Sequence, residues 1–281
     1  MKESVPDLKW ISKDSPPIHL TPNLRNQLDA LYLQQRWQTF YHYFPLIFAI
    51  SESTGTLEFR DNTSTLYIKG TNEAYTPGTH PELKNWDNDR VLIMPRLPED
   101  PTWTFSLYDV NYIYDLKETT QVKNFRDNVA RFKKEHSPVF VDNRTSEEAW
   151  EVVKQWYRKS KREEFTDFGY TEWLAKNYKV FEDLRARFVV VNDKIVGFSL
   201  WGELSKKLGI HLIAKDAGMP YLQDYLRMET YKEMLSQGLL EVNDGSDCGI
   251  EGLRIYKLKL RPKWIVPIWS WMKDESQSFS D

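Results

Sequence analysis

A chain of 281 residues with 41% hydrophobic and 28% charged side chains and 11 tryptophans can bury one large core or two medium ones, which excludes a disordered or low-complexity protein. Its 38 Lys and Arg against 41 Asp and Glu leave a net charge of −3, so any phosphate-bearing partner must be held by local patches rather than by a global field. The single cysteine, Cys248, excludes an intrachain disulfide and a Cys-rich zinc site.

The opening "MKESVPDLKW" has no apolar core behind its basic start, which argues against a secretory signal. "TPNLRNQLDALYLQQRWQTFYHYF", residues 21–44, reads as a helix capped by Thr21 with Pro22 in its first turn. The most apolar run, "YFPLIFAI" at residues 43–50, falls far short of the ~20 residues of a membrane span, and the expected setting is cytoplasmic. "TLEFRD" and "TLYIKG" are short strands of a small α+β subdomain. The proline-rich "MPRLPEDPTW", residues 94–103, separates stretches of different character. It places a boundary near residue 110, with an N-terminal subdomain over 1–110 and a catalytic one over 111–281.

Beyond the boundary, "ETTQVKNFRDNVARFKKEH" is an amphipathic helix with Val122, Phe125, Val129 and Phe132 on one face. "PVFVD" reads as a strand, "SEEAWEVVKQWYRKSKR" as a helix capped by Ser146, and "YTEWLAKNYKVFEDL" as another helix. "RFVVV", Asn192 and Asp193, and "KIVGFSLWGEL" form a hairpin whose two-residue connection suits a type I′ turn. "LGIHLIA" is a strand, "YLQDYLRMETYKEMLSQG" a helix ended by Gly238, and "LLEVND" a strand. A last helix, from about Ile250 to Leu260 and stopped by Pro262, precedes the strand "WIVPIWSW". The order β-α-α-β-β-β-α-β-α-β resembles the GNAT acyltransferase fold, a mixed sheet splayed open between its fourth and fifth strands, where the acyl donor lies.

Helical spacing puts Arg254, Lys257 and Arg261 on one face of that last helix, and Leu253, Tyr256 and Leu260 on another. Taken alone, this basic run and "VKQWYRKSKR" at residues 153–162 are commonly solvated faces. The preceding "NDGSDCG" can present backbone N–H groups to an anion. Its acids Asp244 and Asp247, with Glu251, oppose a free phosphate there, so the cation stripe carries more weight. Asp224 sits near the start of the preceding helix, with Glu229 rotated well away from it. The loop Q/R-x-x-G-x-G/A that holds a CoA pyrophosphate is missing, with Gly218 alone before Met219 and Pro220. His211, in an apolar strand, reads as a hydrogen-bonded core histidine. Cys248 has no neighbouring base to activate it, and the five histidines show no metal spacing, so no metal is expected.

"LRIYKLKLRPKW" resembles the terminal motif L-R-x-Y-K-x-K-x-x-P-x-W of the phosphatidylglycerol lysyltransferase C-terminal domain family, matched by Arg254, Tyr256, Lys257, Lys259, Pro262 and Trp264. Asp224, Leu226 and Glu229 fit its M-D-x-L-x-x-E pattern with Gln223 in place of the methionine, and Gly238 and Asn243 fall at its following G and N. Lys123, Arg126, Asn128 and Phe132 resemble its K-x-x-R-N-x-x-x-x-F helix, although Asp127 takes the usual asparagine place and Asn128 comes one residue late. The resemblance covers most of residues 110–270.

It implies a tandem GNAT-like α+β architecture that moves an amino acid from aminoacyl-tRNA to a lipid or small-molecule hydroxyl or amine, without a metal or other cofactor. Lipid-modifying members usually carry a large transmembrane region ahead of this domain; this sequence shows none. On this reading Asp224 orients the donor's α-ammonium or relays a proton, and Lys257 stabilises the oxyanion or the leaving oxygen. Arg254 and Lys259 grip phosphate, while Glu229, Asn243, Arg126 and Asn128 complete the contacts to substrate or tRNA. A structural role for Lys257, in a buried ion pair with Glu251 or Glu229, stays open. So do two other functions: an acyltransferase that uses acyl-CoA as donor, and a GNAT-like binding module without turnover.

Overall fold

A computed structural model describes residues 39–54, 103–160 and 167–273 of the chain, with the short segments 18–19, 22–26, 29, 57–60, 65–68, 73–75 and 91–94. The chain divides into two units, Met1–Val110 with Val266–Asp281, and Asn111–Ile265. Most of the helix expected over 21–44 and most of the proline-rich passage lie outside the described residues.

In the first unit the apolar run becomes a helix, α1 (Phe44–Thr54), with Phe44, Leu46, Ile47 and Ala49 buried. The short strands are β1 (Ile18–His19), β2 (Leu57–Arg60), β3 (Thr65–Ile68), β4 (Glu73–Tyr75) and β5 (Val91–Met94). They pair in sequence order, antiparallel from β1 to β4 and parallel between β4 and β5.

Strand β6 (Trp103–Asp115) carries the chain into the second unit. There follow α2 (Lys123–His136), β7 (Val139–Val141), α3 (Ser146–Ser160) and α4 (Phe168–Asn177). The hairpin β8 (Arg185–Val191) and β9 (Lys194–Ser205) leads into β10 (Leu208–Asp216). Then come α5 (Leu222–Ser236), β11 (Glu241–Asn243) and α6 (Glu251–Lys259). The strands stand in the order β6-β11-β10-β9-β8-β7, with β10 and β11 parallel and their other pairings antiparallel. The element order matches that read from the sequence.

Local chemistry explains most boundaries. The apolar stripe of α2 buries Phe125, Val129 and Phe132. At the head of α3 the cap is Thr145 rather than Ser146: the Glu148 amide donates to Thr145 Oγ1 at 3.2 Å while the Thr145 amide donates to Glu148 Oε2 at 2.8 Å, a reciprocal capping box. Asn192 and Asp193 take φ values of 48° and 61°, the two left-handed residues that a type I′ turn requires. Gly238 stops α5 at φ 88°, where a side chain would be strained.

Two features position the site. Strand β11 pairs with β10 through Leu208, Gly209 and Ile210 alone, whereas β10 runs on to Asp216, so the two strands part just after Asn243. Helix α6 ends at Lys259, and Arg261 lies beyond it at φ 60°. Arg261 therefore does not extend a helical stripe with Arg254 and Lys257, as the spacing alone predicted.

The last strand, β12 (Trp264–Lys273), pairs antiparallel with β5 through Trp269 and Met94. Residues Val266–Asp281 accordingly group with the first unit, whereas the sequence reading counted them with the C-terminal subdomain. Among the described residues no helix is long and apolar enough to cross a membrane.

Candidate active site

Three family-like segments meet at Asp224, in the first turn of α5. Its Oδ2 accepts a hydrogen bond from Asn128 Nδ2 of α2 at 2.7 Å, and its Oδ1 accepts from the Tyr256 hydroxyl of α6 at 2.7 Å. Asp224 is 7% exposed, so two donors replace water that burial removed. Burial, partly offset by the Arg227 guanidinium and reinforced by the Asp224 carboxylate, pushes the Tyr256 phenol well above its ordinary value. Tyr256 thus remains a donor at neutral pH. Its ring, read from sequence as part of an apolar stripe, also carries the Arg227 guanidinium 5.2 Å from its centroid.

Arg227 joins this cluster to a second, deeper one centred on Asp244, at the point where β10 and β11 part. Asp244 Oδ2 accepts from Arg227 Nε at 3.1 Å and Lys257 Nζ at 3.2 Å, and Oδ1 meets His211 Nδ1 at 2.7 Å. Lys257 Nζ also donates to the Asp244 backbone carbonyl. Burial acts to raise the Asp244 carboxyl, yet the Arg227 and Lys257 cations and the His211 N–H hold it well below the usual carboxylate range. Burial lowers the Lys257 ammonium, with Asp244 opposing. Burial likewise lowers His211, which keeps the imidazole neutral at pH 7. With Nδ1–H directed to the carboxylate, His211 Nε2 accepts from Ser199 Oγ at 2.8 Å, and Ser199 meets Thr230 Oγ1 at 2.9 Å. Ser199 and Thr230 are wholly buried, so this Ser–His–Asp line is a core network rather than a nucleophile open to substrate.

The residues expected at the site therefore separate. Asp224 and Asn128 come together, with Tyr256 as the member that sequence reasoning overlooked. Lys257 is 2% exposed and engaged with Asp244; the buried ion pair left open by the sequence exists, but its partner is neither Glu251 nor Glu229. Asn243 is wholly buried. It donates to Asn111 Oδ1 at 3.1 Å and accepts from the Gly245 amide at 3.0 Å, and so shapes the turn. Glu229 is held by Lys133 at 2.9 Å and Lys232 at 3.1 Å. Arg126 is exposed on α2 and reaches Gln121 at 3.5 Å. Arg254 is exposed and pairs with Asp247 at 3.0 Å, while Lys259 is exposed on α6. Asp244 and Arg227 were the least legible members; the only sequence signal was an Asp and an Arg flanking family-like positions.

The "NDGSDCG" turn does not cradle an anion, and the loop before α5, where the pyrophosphate motif is missing, has partners for its amides too. Around the "NDGSDCG" turn the amides of Asp244, Gly245, Cys248, Gly249 and Ile250 donate to Tyr112, Asn243, Ser246 and Asp247. Before α5, the Gly218 amide donates to Asp216 Oδ1 at 2.5 Å and the Ala217 amide to Val196 at 2.7 Å. A carboxylate thus occupies the place where a CoA pyrophosphate would need bare amides. Gln223, in the family's methionine position, donates through Nε2 to the Ala214 carbonyl at 2.8 Å and accepts from Arg227. It ties the free edge of β10 to the buried charge cluster.

Two mixed α+β units with a parted β10–β11 pair make up a tandem GNAT-like fold. Residues 95–271 match the family described as phosphatidylglycerol lysyltransferase, C-terminal, and the chain belongs to that family. A conserved protein of unknown function from Bacteroides thetaiotaomicron shares the fold at a TM-score of 0.72 and 16% identity, over 92% of this chain and 99% of that one. L-PGS from Bacillus licheniformis does so at 0.61 and 15%, over 90% and 93%. A tandem GNAT protein from the clavulanic acid biosynthesis pathway does so at 0.50 and 12%, over 93% and 97%. No curated protein matches the chain.

Proposed function

We propose that the protein transfers an amino acid from aminoacyl-tRNA to a hydroxyl or amine of a lipid or small molecule, with Asp224 at the reacting centre. The observation that carries this reading is the convergence of Asn128, Asp224 and Tyr256 from three separate family-like segments on one carboxylate. Membership of a family named for lysyl transfer supports it. An aminoacyl ester presents an α-ammonium group, and Asp224 is the anion the outer cluster offers to hold it. Asn128 and Tyr256 fix the carboxylate, so a bound ester is oriented with its carbonyl toward the acceptor. The acceptor's lone pair forms the new bond to that carbonyl carbon, the ester C–O bond breaks, and the acceptor proton leaves with the ribose oxygen. Because the ester is already activated, positioning supplies most of what the reaction needs. Exposed Arg254 and Lys259 are available to tRNA phosphates, and their contribution should weaken with salt. The carboxylate-filled loop before α5 argues against acyl-CoA as donor.

Incubation with a pool of charged tRNAs and candidate acceptors tests the reading. Acceptor-dependent deacylation is expected, reduced on the order of 100-fold by Asp224→Asn. Turnover of CoA thioesters with no effect on any charged tRNA would overturn it.

A further inference from the structure

Helices α5 and α6 carry the two partners of the Tyr256–Asp224 hydrogen bond, and one buried side chain grips both helices. Asp244 holds α5 through Arg227 Nε at 3.1 Å and α6 through Lys257 Nζ at 3.2 Å. Lys257 follows Tyr256 directly in sequence, and the Arg227 guanidinium lies on the Tyr256 ring. A shift of the Asp244 carboxylate would therefore move both ends of the 2.7 Å bond that orients Asp224. Both cations engage the same oxygen, Oδ2, and among the described residues only His211 Nδ1 meets Oδ1, at 2.7 Å. Two contacts on one oxygen leave the carboxylate able to turn about it; a third on the other oxygen fixes its plane.

His211 is itself held in place. Its side chain is wholly buried, Nε2 accepts from Ser199 on β9, and the Tyr231 ring of α5 packs edge-on at 5.9 Å. Packing alone does not account for a histidine here, because an apolar side chain would fill the strand position without the cost of desolvating two polar nitrogens. We propose that His211 is a positioning residue for transfer, which by orienting the Asp244 carboxylate seats α5 against α6 and sets the Tyr256 donor on Asp224. The role deepens the acyl-transfer reading above and rests on it: a side chain with no exposure cannot touch substrate, so it acts through Asp244, Arg227 and Lys257.

Kinetics of His211→Leu in the charged-tRNA assay test the role. The kcat of transfer should fall about tenfold with KM for charged tRNA unchanged, as expected for one lost orienting hydrogen bond. His211→Asn, whose Nδ2 can still donate to Asp244, should recover most of that loss. In a Tyr256→Phe background His211→Leu should lower transfer by less than about twofold, because both changes act on the same bond. If His211→Leu does not fold, Ser199→Ala frees the ring from its other side and should lower kcat about threefold. Hydrogen exchange across α6 gives a readout without turnover, and His211→Leu should speed it there. The proposal is overturned if folded His211→Leu transfers as the parent does, if only KM rises, or if its loss multiplies in full with that of Tyr256→Phe. Unchanged exchange in α6 overturns it as well. Each of these results leaves the acyl-transfer reading standing, whereas a parent that transfers no amino acid overturns that reading and the role of His211 with it.

Discussion

Asp224 and Lys257, paired by the sequence motifs as one catalytic couple, live in different environments. Asp224 lies between two neutral donors at the outer cluster, so removing its charge should abolish ammonium binding without disturbing the core. Tyr256→Phe, which deletes one of those donors, should lower transfer about tenfold in the same charged-tRNA assay. Lys257→Met is expected to act on stability instead. It leaves Asp244 with Arg227 and His211 only, and breaking a buried pair commonly costs about 3–5 kcal/mol, which urea unfolding would register. A Lys257→Met protein of unchanged stability and no activity would restore a chemical role for the ammonium. The motif marked both residues because spacing records identity, while the direction of a side chain on a nine-residue helix depends on which face meets the sheet. Tyr256 was hidden for the same reason: its spacing fits an apolar stripe, and only the fold brings Asp224 to its hydroxyl.

At the scale of elements, the second unit was legible nearly in full, since its helices and strands carry strong periodicity and unambiguous punctuation. Asn192–Asp193 and Gly238 each dictate a left-handed backbone, and both stand where the sequence placed them. The cap of α3 was misplaced by one residue because Ser146 and Thr145 are equally good cap chemistries; the choice is made by Glu148, which lies three residues after Thr145 and closes the reciprocal pair. Thr145→Ala should therefore cost about 1 kcal/mol in urea unfolding, and Ser146→Ala much less. The weakest inference was the anion cradle before α6. Glycines there do permit exposed amides, but Asn243, Ser246 and Asp247 turn their own side chains onto them, a competition that short polar residues routinely win.

For the whole molecule, the buried polar network makes stability depend on pH. His211 has an ordinary value of 6.5 and is lowered by burial, so below about pH 6.5 the unfolded chain takes up a proton that the native imidazole refuses. Stability should fall as pH drops through that region. Asp244, held well below its ordinary 3.8, adds a second loss beginning below about pH 3.8. Between these, Asp216, raised by burial, acts in the opposite sense, because the native carboxyl holds its proton first. Thermal unfolding between pH 8 and pH 5 should show Tm decreasing for the parent on the order of a few degrees, and a flatter profile for His211→Gln. The pairing of β12 with β5 has a consequence in time. The second unit occupies one uninterrupted stretch, Asn111–Ile265, while the first needs Val266–Asp281. During synthesis the usual amino-terminal-first order is reversed: the later-encoded unit has all its strands while the earlier one still waits for its last. A chain arrested before Val266 would thus hold every residue of the Asn111–Ile265 unit while the first unit still lacked its contribution from β12.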